Sequence, residues 1–179
     1  MGLQMLKTLD PLDRELVKGA QEAAARAYAP YSLFAVGAAV RSTSGRVHTA
    51  ANLENASSGL TICAEAAALS LANSAGEPEI DAIAVVGFNF TDTAAGASRV
   101  VAPCGSCRQL IAEAAQRANA NVRVICSNGE LSRIVVWTIG ELLPNAFGPE
   151  NLPVGRQWPT FREELRAYVE RLIAIREKQ

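Results

Sequence analysis

The sequence predicts an α/β protein in three layers, with helices on both faces of a mixed five-stranded sheet. Three observations carry this. Helical and strand patterns follow one another in the order α-β-β-α-β-α-β-β-α. The strand pattern at 80–88 is apolar on both faces through Ile83, Val85 and Val86, as expected of a strand covered on two sides. The length of 179 residues, with 49% hydrophobic and 20% charged, fits one soluble domain with a substantial core.

Asp10 and Pro11 open the first helix. Asp is a good N-cap, and Pro suits the first helical position because an N–H there has no partner anyway. Leu12, Leu16, Ala20, Ala23 and Ala27 then recur at helical spacing up to Tyr28, and Pro30 ends the run. Residues 34–41 and 47–52 read as two strands joined by the Ser-Thr-Ser-Gly turn at 42–45. The Ala- and Leu-rich stretch 61–73 predicts a second helix, 80–88 the third strand, and 89–98 a loop of small and polar residues. Residues 104–119 predict the third helix, and 122–126 and 134–138 the last two strands, separated by a turn at Asn128-Gly129. Thr138 and Glu141 have the form of a capping box for a short helix. The stretch 144–159, rich in Pro, Gly and Asn, reads as a linker. Beyond it 160–178 predicts an amphipathic helix, opened by a Thr160–Glu163 capping box and striped by Phe161, Leu165, Tyr168, Val169, Leu172 and Ile173. The expected organisation is a domain at 10–152 and an extension at 153–179 that packs on that domain or on a neighbouring subunit.

Composition excludes several functions. A formal net charge of −1 with scattered basic residues disfavours a nucleic-acid partner or an anionic membrane surface. No apolar run approaches the roughly 20 residues that span a bilayer, and the first ten residues lack a signal-peptide pattern, so a cytoplasmic protein is expected. In that reducing setting four cysteines read as ligands or core residues rather than disulfides. The single histidine, His48, follows no nucleophile motif and reads as a strand or surface residue. The glycines at 37, 45 and 59 form neither a dinucleotide fingerprint nor a phosphate loop.

What remains is Cys63-Ala64-Glu65 and, further on, Pro103-Cys104-Gly105-Ser106-Cys107. A catalytic zinc takes three protein ligands and keeps a fourth position open for water. Cys63, Cys104 and Cys107 supply three thiolates, and Glu65 stands two residues from the first. Both clusters fall at predicted helix starts, where unpaired N–H groups and the positive helix end stabilise thiolates. A carboxylate at this spacing reaches past the metal to take a proton from the water and hand it on. A closed structural zinc site wants a fourth ligand, and the one thiol left, Cys126, lies in the apolar strand Val122-Arg123-Val124-Ile125-Cys126, where a core thiol is expected. The catalytic reading is therefore preferred to a structural one.

These residues resemble the cytidine deaminase family in its small, three-cysteine, typically homotetrameric form, the zinc nucleobase deaminases having this same His/Cys-x-Glu and Pro-Cys-x-x-Cys pattern. The resemblance extends through Ala29-Pro30-Tyr31-Ser32, Phe34-x-Val36-Gly37-Ala38, Asn52-x-Glu54-Asn55-Ala56-Ser57 and Leu142-Leu143-Pro144-x-x-Phe147-Gly148-Pro149. It implies zinc on Cys63, Cys104 and Cys107, with Glu65 as proton shuttle and hydrolytic deamination of cytidine or deoxycytidine in pyrimidine salvage. It further implies that Asn52 and Glu54 hold the ribose 3′-hydroxyl and that Phe34 packs on the pyrimidine. Ala64 would offer its N–H to the base carbonyl, and Phe147 would help close a neighbouring subunit's pocket. The implied partner is a small pyrimidine nucleoside, and the implied assembly is a homo-oligomer, a tetramer before a dimer.

Two positions depart from that family form. Ala66 stands where Arg usually follows the catalytic Glu, and Ser58 where Tyr is usual. Three thiolates leave Zn²⁺ with net negative charge, which a nearby cation normally offsets; Arg108 is the candidate to do so from the second zinc motif. Blasticidin-type deaminases resemble this zinc motif and also lack the Arg, so a C4-modified cytosine nucleoside or such an antibiotic is the alternative substrate. A non-catalytic zinc-binding interaction protein is a further alternative, against which an intact Glu65 counts.

Overall fold

Asp10 does cap the first helix. In the computed structural model, which describes residues 2–91, 99–152 and 157–177, its carboxylate accepts the N–H groups of Leu12 and Asp13 at 2.9 and 3.0 Å. Helix α1 spans Pro11–Ala24. It stops short of Tyr28 because the chain leaves it to make backbone pairs. Tyr28 N–H donates to the Asn52 carbonyl at 3.0 Å, and Glu54 N–H donates to the Tyr28 carbonyl at 2.8 Å. Leu12, expected on the buried stripe, is 66% exposed. Asp13 takes the inward place in that first turn, because two arginines answer it.

The chain divides into two compact units, Met1–Ala146 and Phe147–Gln179. The first holds five strands: β1 Phe34–Ser42, β2 Val47–Ala51, β3 Ile80–Asn89, β4 Arg123–Asn128 and β5 Ile134–Thr138. Their order is β2-β1-β3-β4-β5. The β1–β2, β1–β3 and β4–β5 pairs are antiparallel and β3–β4 is parallel, which makes the sheet mixed. A parallel pair needs a long crossover, and helix α3 (Gly105–Ala118) lies in it. Helix α2 (Ala64–Ser74) precedes β3, and the short α4 (Ile139–Leu142) follows β5. As the sequence predicts, Glu141 closes that last turn: its carboxylate accepts the Thr138 N–H at 2.7 Å.

Strand alternation separates the two faces. Ala39, Ala82, Ala84, Val86 and Ile125 pack with Leu16, Val17 and Ala20 of α1. Val40, Ile83, Val85, Val124 and Cys126 pack with Ala64 and Ala68 of α2 and Ile111 of α3. The residue at every second position therefore belongs to a different core, which produces three layers from one sheet. The α1 face is built largely of alanine, so the helix comes close to the sheet.

Closest approach falls at Gly37. A Cβ there would overlap the Ala20 carbonyl oxygen and crowd the Ala24 nitrogen, both helix backbone. Gly37→Ala must therefore push α1 off the sheet. We expect a loss of about 3 kcal/mol, the upper part of the overpacking range, seen as a fall in Tm of roughly 6–12 °C by calorimetry.

Where α1 meets the strand edges, charges are buried in compensation. Arg41, 5% exposed, donates to Asp81 through Nε and Nη2 at 2.9 Å each, and through Nη1 to Asp13 at 3.3 Å. Arg123 reaches the other Asp13 oxygen at 2.8 Å. Burial pushes the Asp13 carboxyl above its ordinary value, and the guanidinium groups of Arg123 and Arg41 pull it back. Removing either arginine would leave a buried carboxylate short of a partner, the costly way to break such a pair.

Among the described residues, the second unit contains a 3₁₀ turn, Pro149–Asn151, and helix α5, Trp158–Arg176. The predicted capping box at Thr160 does not form. The helix begins two residues earlier at Trp158, behind Gln157, whose side chain makes no cap bond. Pro159 sits in the first turn, where its missing N–H removes no helical bond, so Thr160 is already inside the helix. Parts of the predicted loop (92–98) and linker (153–156), and residue 178, lie outside the described residues.

Candidate metal centre and active site

Two helix N-termini converge on one face of the sheet. Cys63 is the N-cap of α2 and Cys104 the N-cap of α3, with Cys107 in the first turn of α3. Their three sulfurs lie within 4.8 Å of one another, although the residues come from separate helices. A tetrahedral zinc with Zn–S bonds near 2.3 Å needs sulfurs about 3.8 Å apart, so the cluster fits such an ion with small inward shifts. Among the described residues no fourth His, Cys, Asp or Glu joins the cluster. Three ligands leave a tetrahedral ion one open position, the pattern of a catalytic site.

The electrostatics of the metal-free thiols differ with depth. Cys107 is buried, and loss of solvent raises its thiol above the ordinary value, as it does for Cys63. Burial works against the Cys104 thiolate too, but the Cys107 and Ser106 backbone N–H groups and the neighbouring thiols outweigh it, and the net shift is downward. Those N–H groups are the free donors of the α3 N-terminus. Cys126 is fully buried on β4, its thiol raised by desolvation, and it lies outside the cluster, as expected of a core residue.

Glu65 is only 4% exposed, in the first turn of α2. Burial raises its carboxyl above the ordinary range, while its own backbone N–H and the Cys107 thiol hydrogen-bond it and pull it back. The carboxylate thus lies near the sulfur cluster, two residues from Cys63. Ala64, completely buried, is the first residue of α2, where a backbone N–H has no helical acceptor. Arg108 donates from Nε to the Pro103 carbonyl at 2.9 Å and from Nη1 to the Leu142 carbonyl at 3.3 Å. It braces the turn that carries Cys104 and adds positive charge behind it. Ala66 is half-buried in α2, and Ser58 is exposed in a 3₁₀ turn, Ser58–Leu60.

Asn52 is more occupied than its motif suggests. Its Oδ1 accepts the Val36 N–H at 2.9 Å and its Nδ2 donates to the Phe34 carbonyl at 3.1 Å. One hydrogen and one lone pair of the amide remain for a ligand. Glu54 accepts the Tyr31 and Ser32 N–H groups through Oε2 at 2.9 and 3.3 Å. Bonds from the Ser32 side chain and the Tyr31 backbone hold its carboxyl below the ordinary value. Phe34 lies half-buried over Gly87, where an added Cβ would meet its ring at 3.0 Å and the Val101 methyls at 3.1 Å. Phe147 falls in the second unit and is exposed.

Sequence reasoning did not see the link between these parts. Leu53 and Ile62 exchange both backbone hydrogen bonds, each 2.9 Å, so one rung fastens the Asn52–Glu54 segment beside Cys63. No residue type signals a backbone rung. Gly87 was a readable hint, since glycine in a buried strand often marks the close approach of another group.

A family model for the cytidine and deoxycytidylate deaminase zinc-binding region matches residues 11–122, which include all three clustered cysteines and Glu65. The chain belongs to that deaminase family. Its relatives agree along their length. This deaminase is 44% identical to a cytidine deaminase of Halalkalibacterium halodurans over 144 residues, 79% of this chain and 98% of that one. It is 36% identical to a blasticidin-S deaminase of Bacillus cereus, over 74% of this chain and 89% of that one. A crystal structure of cytidine deaminase from Burkholderia pseudomallei superposes with a TM-score of 0.63 at 41% identity, covering 74% of this chain and 97% of that one. Zinc is therefore the metal of the three-cysteine cluster in this deaminase.

Proposed function

We propose that this chain is a zinc-dependent hydrolase that converts cytidine and deoxycytidine to uridine and deoxyuridine with release of ammonia. The observation that carries the reading is the buried Glu65 carboxylate, 4% exposed in the first turn of α2, two residues from the Cys63 of the three-sulfur cluster. Cys63, Cys104 and Cys107 hold the zinc, which when bound supplies the Lewis acidity that activates the attacking water. Glu65 accepts a proton from that water and delivers it to the ring nitrogen of the pyrimidine. It then carries a proton to the leaving amino group, so the reaction ends in a carbonyl and ammonia. Burial supports the shuttle by making the carboxyl a stronger base than an exposed one.

The remaining residues hold the nucleoside. Phe34 packs on the ring, and the orphan N–H of Ala64 meets the base carbonyl. The spare hydrogen-bonding capacity of Asn52 and Glu54 takes the 3′-hydroxyl. Arg108 supplies the cation that Ala66 does not, acting through the backbone of the Pro103–Cys104 turn. We place the enzyme in cytoplasmic pyrimidine salvage as a homotetramer in which Phe147 helps close a neighbour's pocket. The catalytic domain is residues 10–152, with 153–179 as an extension.

Ala66 and the blasticidin-S deaminase relative favour one second reading, a C4-modified cytosine nucleoside or nucleoside antibiotic as substrate. Rates of the zinc-loaded protein on cytidine, an N4-alkylcytidine and blasticidin S separate the two. We expect kcat/KM to be highest on cytidine; a higher value on either of the others would transfer the proposal to that substrate.

A further inference from the structure

We propose that α5 is a self-association element that pairs antiparallel with the α5 of a second copy of this chain. The helix carries apolar residues at Trp158, Phe161, Leu165, Tyr168, Leu172 and Ile175, alternating spacings of three and four over 19 residues. That spacing is a heptad seam, and Val169 and Ile173, 43% and 40% exposed, widen the apolar face beside it. All six side chains are 39–56% exposed.

Register and charge select the partner and its direction. Set antiparallel, the seam closes on itself in complete layers: Trp158 against the second copy's Ile175, Phe161 against its Leu172, and Leu165 against its Tyr168. Each layer then joins one aromatic and one aliphatic side chain, so layer volumes are even. Parallel pairing in register would stack Trp on Trp, Phe on Phe and Tyr on Tyr, between layers of Leu and Ile. The flanking charges agree. The seam is bordered by Glu164 and Arg171, which in an antiparallel pair face each other across the interface twice, by symmetry. In a parallel pair Arg171 would instead face the second copy's Arg176, a repulsion repeated on both sides. Arg171 already lies 5.6 Å from the Tyr168 ring centroid, on the border of the seam. Arg and Glu are interleaved along the helix, which disfavours an anionic lipid surface as occupant.

The pairing is short, and its test reads self-association and needs no substrate. Sedimentation velocity of the zinc-loaded full chain over a dilution series gives the midpoint of its self-association. Glu164→Arg and Arg171→Glu each place like charges across the pair and should each weaken association about tenfold. The double variant, or an equimolar mixture of the two single variants, restores the opposite charges and should return the midpoint to within about threefold of wild type. Amide exchange along 161–172 is the second readout: protected in wild type above the midpoint, and unprotected in Leu165→Glu. A monomeric wild type, a double variant that fails to recover, or an Arg171→Glu that strengthens association would each overturn the proposal. So would a Leu165→Glu that lowers Tm yet leaves association and exchange unchanged, since α5 would then be packing on its own chain.

Discussion

Replacing Glu65 with Gln is expected to lower kcat on cytidine about a thousandfold while the zinc content stays at one ion per chain. A factor of that size corresponds to roughly 4 kcal/mol of lost barrier reduction. The amide keeps the volume of the carboxylate, so a site only 4% exposed is neither emptied nor overfilled. It also remains able to hydrogen-bond Cys107, so the sulfur cluster should keep its shape. What it cannot do is take a proton from water and give it to the ring nitrogen. Steady-state kinetics beside metal analysis of the same preparation checks this. Activity within tenfold of wild type would remove Glu65 from the proton path and leave the cluster as a binding site only. Loss of zinc along with activity would instead make Glu65 a support of the cluster.

Cys107→Ser should abolish both stable zinc binding and turnover. Cys107 is 1% exposed and lies in the first turn of α3, the most deeply buried of the three clustered sulfurs proposed to hold the metal. A serine hydroxyl is a poor substitute for a thiolate on zinc, and two remaining sulfurs cannot fix the ion's geometry. Because zinc binds the folded chain in preference to the unfolded one, wild type should gain roughly 10 °C in Tm on zinc addition, and Cys107→Ser should gain almost nothing. Cys126→Ala is the control. It removes a fully buried thiol that lies outside the cluster, so it should lower Tm modestly and retain the zinc response. A zinc response lost in Cys126→Ala and kept in Cys107→Ser would reverse the ligand assignment.

Local chemistry made much of this legible. Asp10 before Pro11, the Ser-Thr-Ser-Gly turn and Glu141 after Thr138 act within a few residues, so their types alone announce the structure they make. The cysteine spacing was legible for a different reason: thiolates at two helix starts have few other uses. Readings failed where distant groups decided. Tyr28 left the helical pattern for the Asn52 backbone, which no periodicity reveals. Asp13 displaced Leu12 from the inward face because Arg41 and Arg123 wait there, 28 and 110 residues further on. Thr160 and Glu163 form a sound capping signal, yet Pro159 already suits the first turn and the helix started earlier. The Asn52 amide looked free for a ligand and was half spent on β1.

The Leu53–Ile62 rung has a consequence for how such an enzyme can change. It pins both ends of the stretch between the Asn52–Glu54 segment and Cys63, and residues 55–61 in between are all exposed. Insertions, deletions or substitutions there would change the exposed surface while the rung holds the ends of the loop in place. Sequence change can accumulate in that short loop while the strand-like rung and the cysteine next to it are inherited intact.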